Sequence, residues 1–194
     1  MNKILPLLAL AATGTTAMAQ SPVPTFTAQD KLDAASYYHI RFKNGGVELV
    51  DKGVNAKIST NYGNDASAHL FALIGTRQSF VLRSKDGNYV GFIGDRLTSV
   101  KEATQALQLT LLNSPVFGEG YYVISRVDDQ KNSFNPHGGT GVGKQIGFWE
   151  NADANNSLYF PLPDDVPAPT YSAYRDKFTK NEYAYKGNNS FRPE

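Results

Sequence analysis

The sequence predicts an all-β fold assembled from three similar units. A short segment rich in aromatic and branched residues occurs three times at a spacing of about 42 residues, beginning at Tyr38, Phe80 and Tyr122. A polar turn follows each copy, and further short alternating runs are punctuated by Gly, Asn and Asp. Because one short β unit cannot bury its apolar face alone, this repetition indicates that the three units pack against one another.

The elements of each unit follow from alternation and turn residues. The pairs Asn44-Gly45 and Asp86-Gly87 predict hairpin turns, because these residue types accept positive φ angles. In the third unit a Gly-rich loop is expected over residues 135–143. The predicted strands lie around Tyr38, Val47, Ile58 and Phe71 in the first unit, Phe80, Tyr89, Leu97 and Leu109 in the second, and Tyr122, Ile146 and Phe160 in the third.

Four strands repeated three times predict a β-trefoil over residues 37–163. Such a barrel is closed and capped at one end, and closure removes the sheet edges that a single unit would expose. Each unit ends on a similar apolar run, so we expect Phe71, Leu109 and Phe160 to occupy equivalent buried positions.

The first 19 residues have the layout of a secretory signal peptide. A basic start at Lys3 precedes the apolar segment 4–12, and Ala17-Met18-Ala19 is a small-x-small cleavage site. Residues 20–36 are a lead-in. The sequence contains no Cys, which is typical of bacterial rather than eukaryotic export. The expected location is therefore secreted, periplasmic or at the cell surface, and no later stretch is long and apolar enough to span a membrane.

Residues 164–194 are predicted to form a linker and an extended tail. Pro167 and Pro169 oppose regular strand pairing, and the following residues are rich in Tyr, Lys and Asn without a sustained period.

The charge and the motifs exclude several classes of function. Once Lys3 is removed, basic and acidic side chains are equal in number, which argues against a nucleic-acid partner. His39, His69 and His137 stand at unrelated distances without a metal-binding motif, so neither a metal nor a cofactor is expected. The adjacent carboxylates fall in turns and no nucleophile motif occurs, so we do not expect an enzyme.

The Gly-rich loop contains part of a phosphate-binding motif. Residues 138–144 satisfy the pattern GxxxxGK, but Gln145 follows where Ser or Thr is required, and no helix begins there. The sequence therefore favours either a flexible loop between strands or a loop that faces a ligand.

Three segments of the sequence form a recognisable pattern: Tyr38-x-Ile40-Arg41-Phe42-x-Asn44-Gly45-Gly46, Asn135-Pro136-x-Gly138-Gly139 and Asn156-x-Leu158-Tyr159-Phe160. This pattern resembles ricin-B-like β-trefoil modules, in particular those of exported glycosidases and related proteins of Bacteroidetes. The resemblance covers about residues 37–163 and implies a β-trefoil that binds carbohydrate without chemistry of its own. It also implies an appended or associated glycoside hydrolase as a partner.

The sequence departs from the signature of that family. The family pattern Gln-x-Trp closes each unit, and its Trp position stays apolar here, whereas no Gln stands at its first position. The matching triplets are His69-Leu70-Phe71, Leu107-Gln108-Leu109 and Leu158-Tyr159-Phe160.

The best candidate for a sugar site lies in the third unit. Sugars are bound by polar groups that donate and accept hydrogen bonds, beside an aromatic ring that stacks on their C–H faces. This stretch supplies such groups together with the single Trp of the chain: Asn135, His137, Lys144, Gln145, Trp149, Asn151 and Asp153. A weaker set occurs in the first unit: Asp51, Asn55, Asn61, Tyr62 and Asn64.

The sequence leaves alternatives open for this site and for the function. Trp149 can instead cap the barrel, with the polar residues only solvating loops. A secreted, non-catalytic carbohydrate-binding module that assists glycan degradation is the leading hypothesis. The alternative is an exported domain that binds protein or acts as a spacer, without sugar binding.

Overall fold

The computed structural model describes residues 21–164 and the backbone of two short strands, 183–185 and 191–193. The predicted signal peptide and most of the predicted tail lie outside the described residues. The strands are β1 (Tyr37–His39), β2 (Arg41–Phe42), β3 (Val47–Val50), β4 (Ser59–Tyr62), β5 (Leu70–Thr76), β6 (Ser79–Ser84), β7 (Tyr89–Ile93), β8 (Arg96–Val100), β9 (Leu109–Ser114), β10 (Gly118–Arg126), β11 (Asp129–Pro136), β12 (Ile146–Glu150), β13 (Leu158–Tyr159), β14 (Tyr183–Tyr185) and β15 (Phe191–Pro193).

Five short 3₁₀ turns are the helical elements of the described residues. They are η1 (Gln29–Lys31), η2 (Ala34–Ser36), η3 (Ser67–His69), η4 (Ala103–Gln105) and η5 (Ala154–Asn156). None of the helices in this part of the chain has the length and apolar character needed to cross a membrane.

A closed barrel forms the centre of the molecule. Strands β1 and β2 are two halves of one strand that is interrupted at Ile40, and antiparallel pairing runs around the ring in the order β1-β5-β6-β9-β10-β13-β2. The ring closes because β13 pairs with β2 at Leu158↔Phe42 and β1 pairs with β5 at Tyr38↔Phe71. The barrel therefore has no exposed edge strand, as the sequence predicts.

Three hairpins cover one end of this barrel. They are β3–β4, β7–β8 and β11–β12, and each continues from the first barrel strand of its unit. Isolated bridges join the hairpins to one another, at Lys57↔Thr98 and at Ser59↔Gln145. Six barrel strands and three capping hairpins define a β-trefoil. Unit one comprises β1 to β5, unit two β6 to β9 and unit three β10 to β13.

The core fills the barrel with the apolar side chains that the strands turn inward. Phe71, Leu109 and Phe160 are all fully buried, which confirms their predicted burial. The other large buried side chains include Phe42, Phe80, Phe134, Ile40, Leu49, Leu73 and Leu82.

The pairing register corrects one predicted equivalence. Tyr38 pairs with Phe71, Phe80 with Leu109, and Tyr122 with Leu158. The position that corresponds to Phe71 and Leu109 is therefore Leu158, and the prediction that it is Phe160 is wrong by two residues.

The last strand of each unit also pairs with a strand on its other side, and this second set of pairs gives the same register. The partner residues there are spaced by about 42 residues. These pairs are Phe71↔Ser84, Leu109↔Arg126 and Leu158↔Phe42. Both Leu158 and Phe160 point into the core, so the apolar pattern alone fitted two registers.

The lead-in packs along the barrel. Phe26 stacks edge-on against Phe80, with ring centroids 5.4 Å apart. The backbone N–H of Thr27 donates to the carbonyl of Leu73 at 3.1 Å, and the N–H of Phe160 donates to the hydroxyl of Ser21 at 2.9 Å. The described part of the lead-in is thus a structural part of the barrel wall.

The described residues of the tail form one pair of strands. β14 and β15 pair antiparallel, with Ala184 opposite Arg192. The sequence did not predict this pair.

Candidate functional site

The site is built on the β11–β12 hairpin of unit three. Asn135 lies opposite Gly147, and Ser133 lies opposite Trp149. Because alternate residues of a strand share a face, Asn135 and Trp149 project from the same side of this hairpin. Trp149 is 57% exposed. The indole is therefore available to a ligand, and Trp149 is not a buried cap of the barrel.

The same face continues by one more pair of residues. The backbone N–H of His137 donates to the carbonyl of Gln145 at 2.9 Å, which extends the ladder beyond Asn135 and Gly147. His137 and Gln145 are both exposed. One hairpin face therefore carries an indole, an amide and, at its far end, an imidazole with a second amide.

Asn156 is the buried residue that organises this face, although it was not among the candidate residues. Its side-chain Nδ2 lies 2.9 Å from the hydroxyl of Ser133 and 3.1 and 3.0 Å from the carbonyls of Trp149 and Glu150. Its Oδ1 accepts a hydrogen bond from Nδ2 of Asn135 at 2.6 Å. This network fixes the hairpin relative to η5 and sets the orientation of the Asn135 amide.

The orientation of Asn135 leaves an acceptor for a ligand. Its Nδ2 also lies 3.5 Å from Oδ2 of Asp153, so the donor end of the amide faces Asn156 and Asp153. Asp153 is itself fixed, since its Oδ1 accepts from the backbone N–H of Asn155 at 2.8 Å. Among the described residues no group donates to Oδ1 of Asn135, which can therefore accept from a sugar hydroxyl.

The remaining candidates have other roles. Asn151 ties the end of β12 to the beginning of β11 and to β10: its Nδ2 donates to the carbonyl of Gln130 at 2.6 Å and its Oδ1 accepts from Ser125 at 3.4 Å. Lys144 is half-buried, and its side chain lies along the Gly-rich loop. The structure thus brings together Asn135, Trp149 and Asp153, while the other four lie farther along the hairpin and its loop.

The Gly-rich loop is fixed by unit one. The backbone of Thr60 exchanges hydrogen bonds with it, from Gly143 N–H at 2.7 Å and to the carbonyl of Lys144 at 3.0 Å. The hydroxyl of Thr60 accepts from the N–H of Lys144 at 2.9 Å and donates to the carbonyl of Gly141. Thr60 alone therefore hydrogen-bonds to Gly141, Gly143 and Lys144, and this contact with unit one fixes the second half of the loop.

The threefold register shows that the combination of residues is particular to unit three. The three positions held there by Asn135, Trp149 and Asn156 can be read in the other units from the strand pairs. Unit one has Val50, Asn61 and His69, and unit two has Gly91, Val100 and Leu107. Within the described residues, the combination of an aromatic side chain with two amides at these positions therefore occurs in unit three alone.

The corrected register also changes how the closing triplet of unit three is assigned. With Leu158 at the apolar position, the triplet is Asn156-Ser157-Leu158 rather than Leu158-Tyr159-Phe160. An amide side chain consequently stands at the first position in unit three. The sequence signal that could have found Asn156 is the amide two residues before Leu158, which is similar to the Gln-x-Trp pattern.

In unit one a buried ionic cluster takes the place of this site. Glu48, fully buried, corresponds to Ser133. Its Oε1 accepts from Nδ1 of His69 at 2.7 Å and from Nδ1 of His39 at 3.0 Å, and its Oε2 lies 2.8 Å from Nη2 of Arg41. Nε of Arg41 also donates to Oε2 at 3.1 Å, so the carboxylate accepts four hydrogen bonds and its acceptor sites are filled.

The cluster shifts the pKa values of its members. Burial alone would lower the pKa of His39, but its hydrogen bonds to Glu48 and to Asp65 outweigh burial and raise it. Both ring nitrogens of His39 face carboxylates, which suits the doubly protonated ring. Burial would raise the pKa of Glu48, yet hydrogen bonds from His39 and Arg41 lower it.

The weaker candidate set of unit one does not assemble. Asp51 is buried and accepts from Ser84 at 2.6 Å and from Asn88 at 2.9 Å, so it joins unit one to unit two. Burial would raise the pKa of Asp51, but these hydrogen bonds lower it. Tyr62 is 66% exposed, whereas Asn64 turns toward His69.

Metal binding has no support in the geometry. Within the described part of the chain, no group of three or more His, Cys, Asp or Glu side chains has an arrangement that could hold a metal ion.

Comparison with solved structures supports the fold. A ricin B-like lectin of Macrolepiota procera, in complex with lactose, matches 69% of this chain and 99% of its own at 17% identity, with a TM-score of 0.57. The C-terminal half of an earthworm R-type lectin, in complex with GalNAc, matches 65% of this chain and 98% of its own at 15% identity and a TM-score of 0.51. At these identities the similarity shows the β-trefoil fold alone.

A third structural neighbour is an enzyme. The endo-β-galactosidase of Clostridium perfringens that releases GlcNAcα1-4Gal matches at 16% identity with a TM-score of 0.53, over 64% of this chain and 32% of its own. No protein-family model matches the sequence, and no curated sequence is significantly similar to it.

Proposed function

We propose that this protein is a carbohydrate-binding module with one sugar site, on the β11–β12 hairpin of unit three. The observation that carries the proposal is the exposed indole of Trp149 beside the oriented amide of Asn135. A pyranose stacks its C–H face on the indole while its hydroxyls donate to Oδ1 of Asn135. His137 and Gln145 extend the contacts to a second sugar residue along the same face.

The ligand is a neutral saccharide and its binding needs no metal. Asp153 and the amides around it offer hydrogen bonds to hydroxyl groups without a surplus of positive charge. The site is a shallow face with few contacts, so we expect a dissociation constant of about 0.1–1 mM. The sugar-bound lectins among the structural neighbours support this class of ligand.

The module acts after export and has no catalytic centre of its own. The sequence features of a signal peptide at residues 1–19 support secretion to the periplasm, the cell surface or the medium. An enzyme among the structural neighbours supports an accessory role beside a glycoside hydrolase in glycan degradation. Sequencing the N-terminus of exported protein tests the first point, and the expected start is Gln20.

Substitution of Trp149 tests the sugar site. We expect Trp149→Ala to abolish retention on a polysaccharide that the parent chain binds in a glycan-array screen, without lowering the unfolding temperature, because the indole is largely exposed. Tyr62→Ala is the matched control, since Tyr62 is an exposed aromatic residue on the corresponding hairpin of unit one. It should bind as the parent does.

Two results would contradict the proposal. Equal retention of the Trp149→Ala and parent chains would exclude this site. A complete lack of binding across neutral glycans would favour the alternative, a domain that binds protein or acts as a spacer.

A further inference from the structure

A polar pocket lies on the barrel wall, away from the unit-three hairpin face. It has a volume of about 300 Å³ and is bordered by the β5–β6 turn, strand β9 and the beginning of strand β11. The polar side chains that line it are Arg77, Gln78, Thr110, Asn113 and Gln130. Trp149, Asn135 and Asp153 take no part in it, so it is separate from the proposed sugar site.

The three boundaries between units differ in the side chains that face outward from the barrel wall. At the boundary between units one and two the outward pair is Ala72 and Arg83, and at the boundary between units three and one it is Tyr159 and Arg41. At the boundary between units two and three, the corresponding pair is Thr110 and Ser125. Both of these small side chains are buried, and this boundary carries no arginine at the position that Arg83 and Arg41 hold in the other two.

Arg77 is held in place in this pocket by uncharged groups. Its Nε donates to the carbonyl of Leu111 at 3.1 Å, and its Nη2 donates to Oδ1 of Asn113 at 2.6 Å. Its guanidinium carbon lies 5.8 Å from the centre of the Tyr122 ring. These three contacts fix the plane of the guanidinium before any ligand arrives.

The charge of Arg77 is not neutralised by an ion pair. Among the described residues no carboxylate lies within 4.0 Å of it, whereas Arg41, Arg96 and Arg126 each have such a partner. The Nη1 hydrogens and the second hydrogen of Nη2 remain at the open end of the guanidinium, which is the geometry that binds a carboxylate through two parallel hydrogen bonds.

We propose that this pocket is a second binding site, which takes a saccharide residue bearing a carboxylate, such as a uronic acid. The guanidinium of Arg77 binds the carboxylate, and the exposed amides of Gln78 and Gln130 exchange hydrogen bonds with the sugar hydroxyls. Both amide groups can donate and accept, as a ring of hydroxyls requires.

A matched pair of sugars tests the proposal. Methyl β-glucuronide and methyl β-glucoside differ in the carboxylate at C6, and acetate supplies the carboxylate alone. In an NMR titration of the parent chain, we expect the glucuronide to shift the backbone amides of Leu111, Leu112 and Gln130, with an affinity at least about tenfold above the glucoside and acetate. The affinity should fall as salt is added, because the pocket is open to solvent.

Substitutions test which residues bind the glucuronide. Arg77→Gln should weaken glucuronide binding at least about tenfold. Arg83→Gln is the matched control, because Arg83 also lies over a tyrosine ring, that of Tyr89 at 5.6 Å, but outside the pocket. It should leave the affinity unchanged. Trp149→Ala should also leave it unchanged, which separates this site from the proposed sugar site of unit three.

Several outcomes would overturn the proposal. Equal affinity for glucoside and glucuronide would remove the role of the carboxylate, and equal affinity for acetate and glucuronide would make the pocket a bare anion site. An equal loss in Arg83→Gln, or a loss in Trp149→Ala, would place the binding elsewhere. If Arg77→Gln fails to fold, the double variant Gln78→Ala with Gln130→Ala decides, because unchanged glucuronide affinity there would contradict the site.

Discussion

Glu48 and Ser133 occupy the same position in units one and three. The difference between these two side chains gives the hairpin of unit one a structural role and leaves the hairpin of unit three open to a binding role. Around Ser133 the buried partner is the neutral amide of Asn156, and Oδ1 of Asn135 accepts no hydrogen bond from the described residues. Around Glu48, a cationic guanidinium and two imidazoles use the acceptors of the carboxylate. One small side chain therefore permits a site, whereas one buried carboxylate replaces it with an internal ionic cluster.

The cluster should make the stability of the fold depend on pH. The folded-state pKa of His39 is raised above its ordinary value of 6.5, so its contribution is full below pH 6.5 and is lost as pH rises through the folded-state pKa. The pKa of Glu48 is lowered from 4.5, so its contribution is full above pH 4.5 and is lost as pH falls through the folded-state value. We therefore expect the fold to be most stable between pH 4.5 and pH 6.5, where both contributions are full. The midpoint of urea unfolding, measured across pH 3–9, checks this.

Two histidine variants provide the control for this pH profile. His39→Gln should flatten the decline above pH 6.5, because the group that gains a proton on folding is removed. His137→Gln should retain the decline, since His137 is exposed on the hairpin. If the stability of the parent chain does not change with pH, the inference that charged His39 and Glu48 stabilise the fold is contradicted.

Among the elements of the fold, the lead-in and the Gly-rich loop contribute more than their sequences suggest. The lead-in reaches the core through Phe26 and is held by backbone hydrogen bonds along β5. The loop after β11 is held by Thr60, a residue that lies far away in the sequence. Both segments therefore owe their conformation to strands of another part of the barrel.

Truncations at the two ends should differ in their effect. Removing residues 21–36 takes away the Phe26–Phe80 contact and the partner of the Leu73 carbonyl, so we expect a loss of about 2–4 kcal/mol in the free energy of unfolding. Removing residues 165–194 should shift the unfolding midpoint only slightly, because Pro167 and Pro169 oppose pairing with the barrel. Urea unfolding of both truncated chains measures the difference.

Either of two results would contradict this pair of expectations. A lead-in truncation as stable as the parent would mean that Phe26 adds little to the core. A loss of several degrees in the unfolding temperature on removing the tail would mean that the tail clasps the barrel.

At the scale of the whole molecule, threefold architecture does not bring threefold function. The three units share strand order and register, yet the capping hairpins carry an ionic cluster in unit one, apolar side chains in unit two and the polar, aromatic face in unit three. The fold is a common support on which each hairpin can change independently, because the core depends only on the inward-facing positions.

We therefore expect one neutral saccharide to bind per chain. Isothermal titration or NMR titration with an oligosaccharide that the parent binds should give a stoichiometry of one. Asn61→Trp places an indole at the position of unit one that corresponds to Trp149, and it should add no second site, because Val50 replaces the oriented amide there. A stoichiometry of three, or a second site in Asn61→Trp, would contradict this prediction. With one weak site, firm attachment to a polymer requires several chains or an attached partner.

The sequence alone determined the β-trefoil, because the spacing of about 42 residues repeats both the inward-facing apolar residues and the turns. It also proposed Asn135, Trp149 and Asp153 as ligand-binding residues, since their chemistry is visible in a single short stretch. It could not determine the register of the last strand, because Leu158 and Phe160 are both apolar and both buried. Only the strand pairs resolved that register.

The tertiary structure alone decided how side chains distant in sequence meet. Asn156 reaches Asn135 and Ser133 because η5 lies beneath the hairpin, and Glu48 meets His69 because β3 passes beside η3. The pocket of Arg77 likewise exists only where the β5–β6 turn approaches β9. Such encounters follow from the closure of the barrel, which brings together positions that no local pattern links.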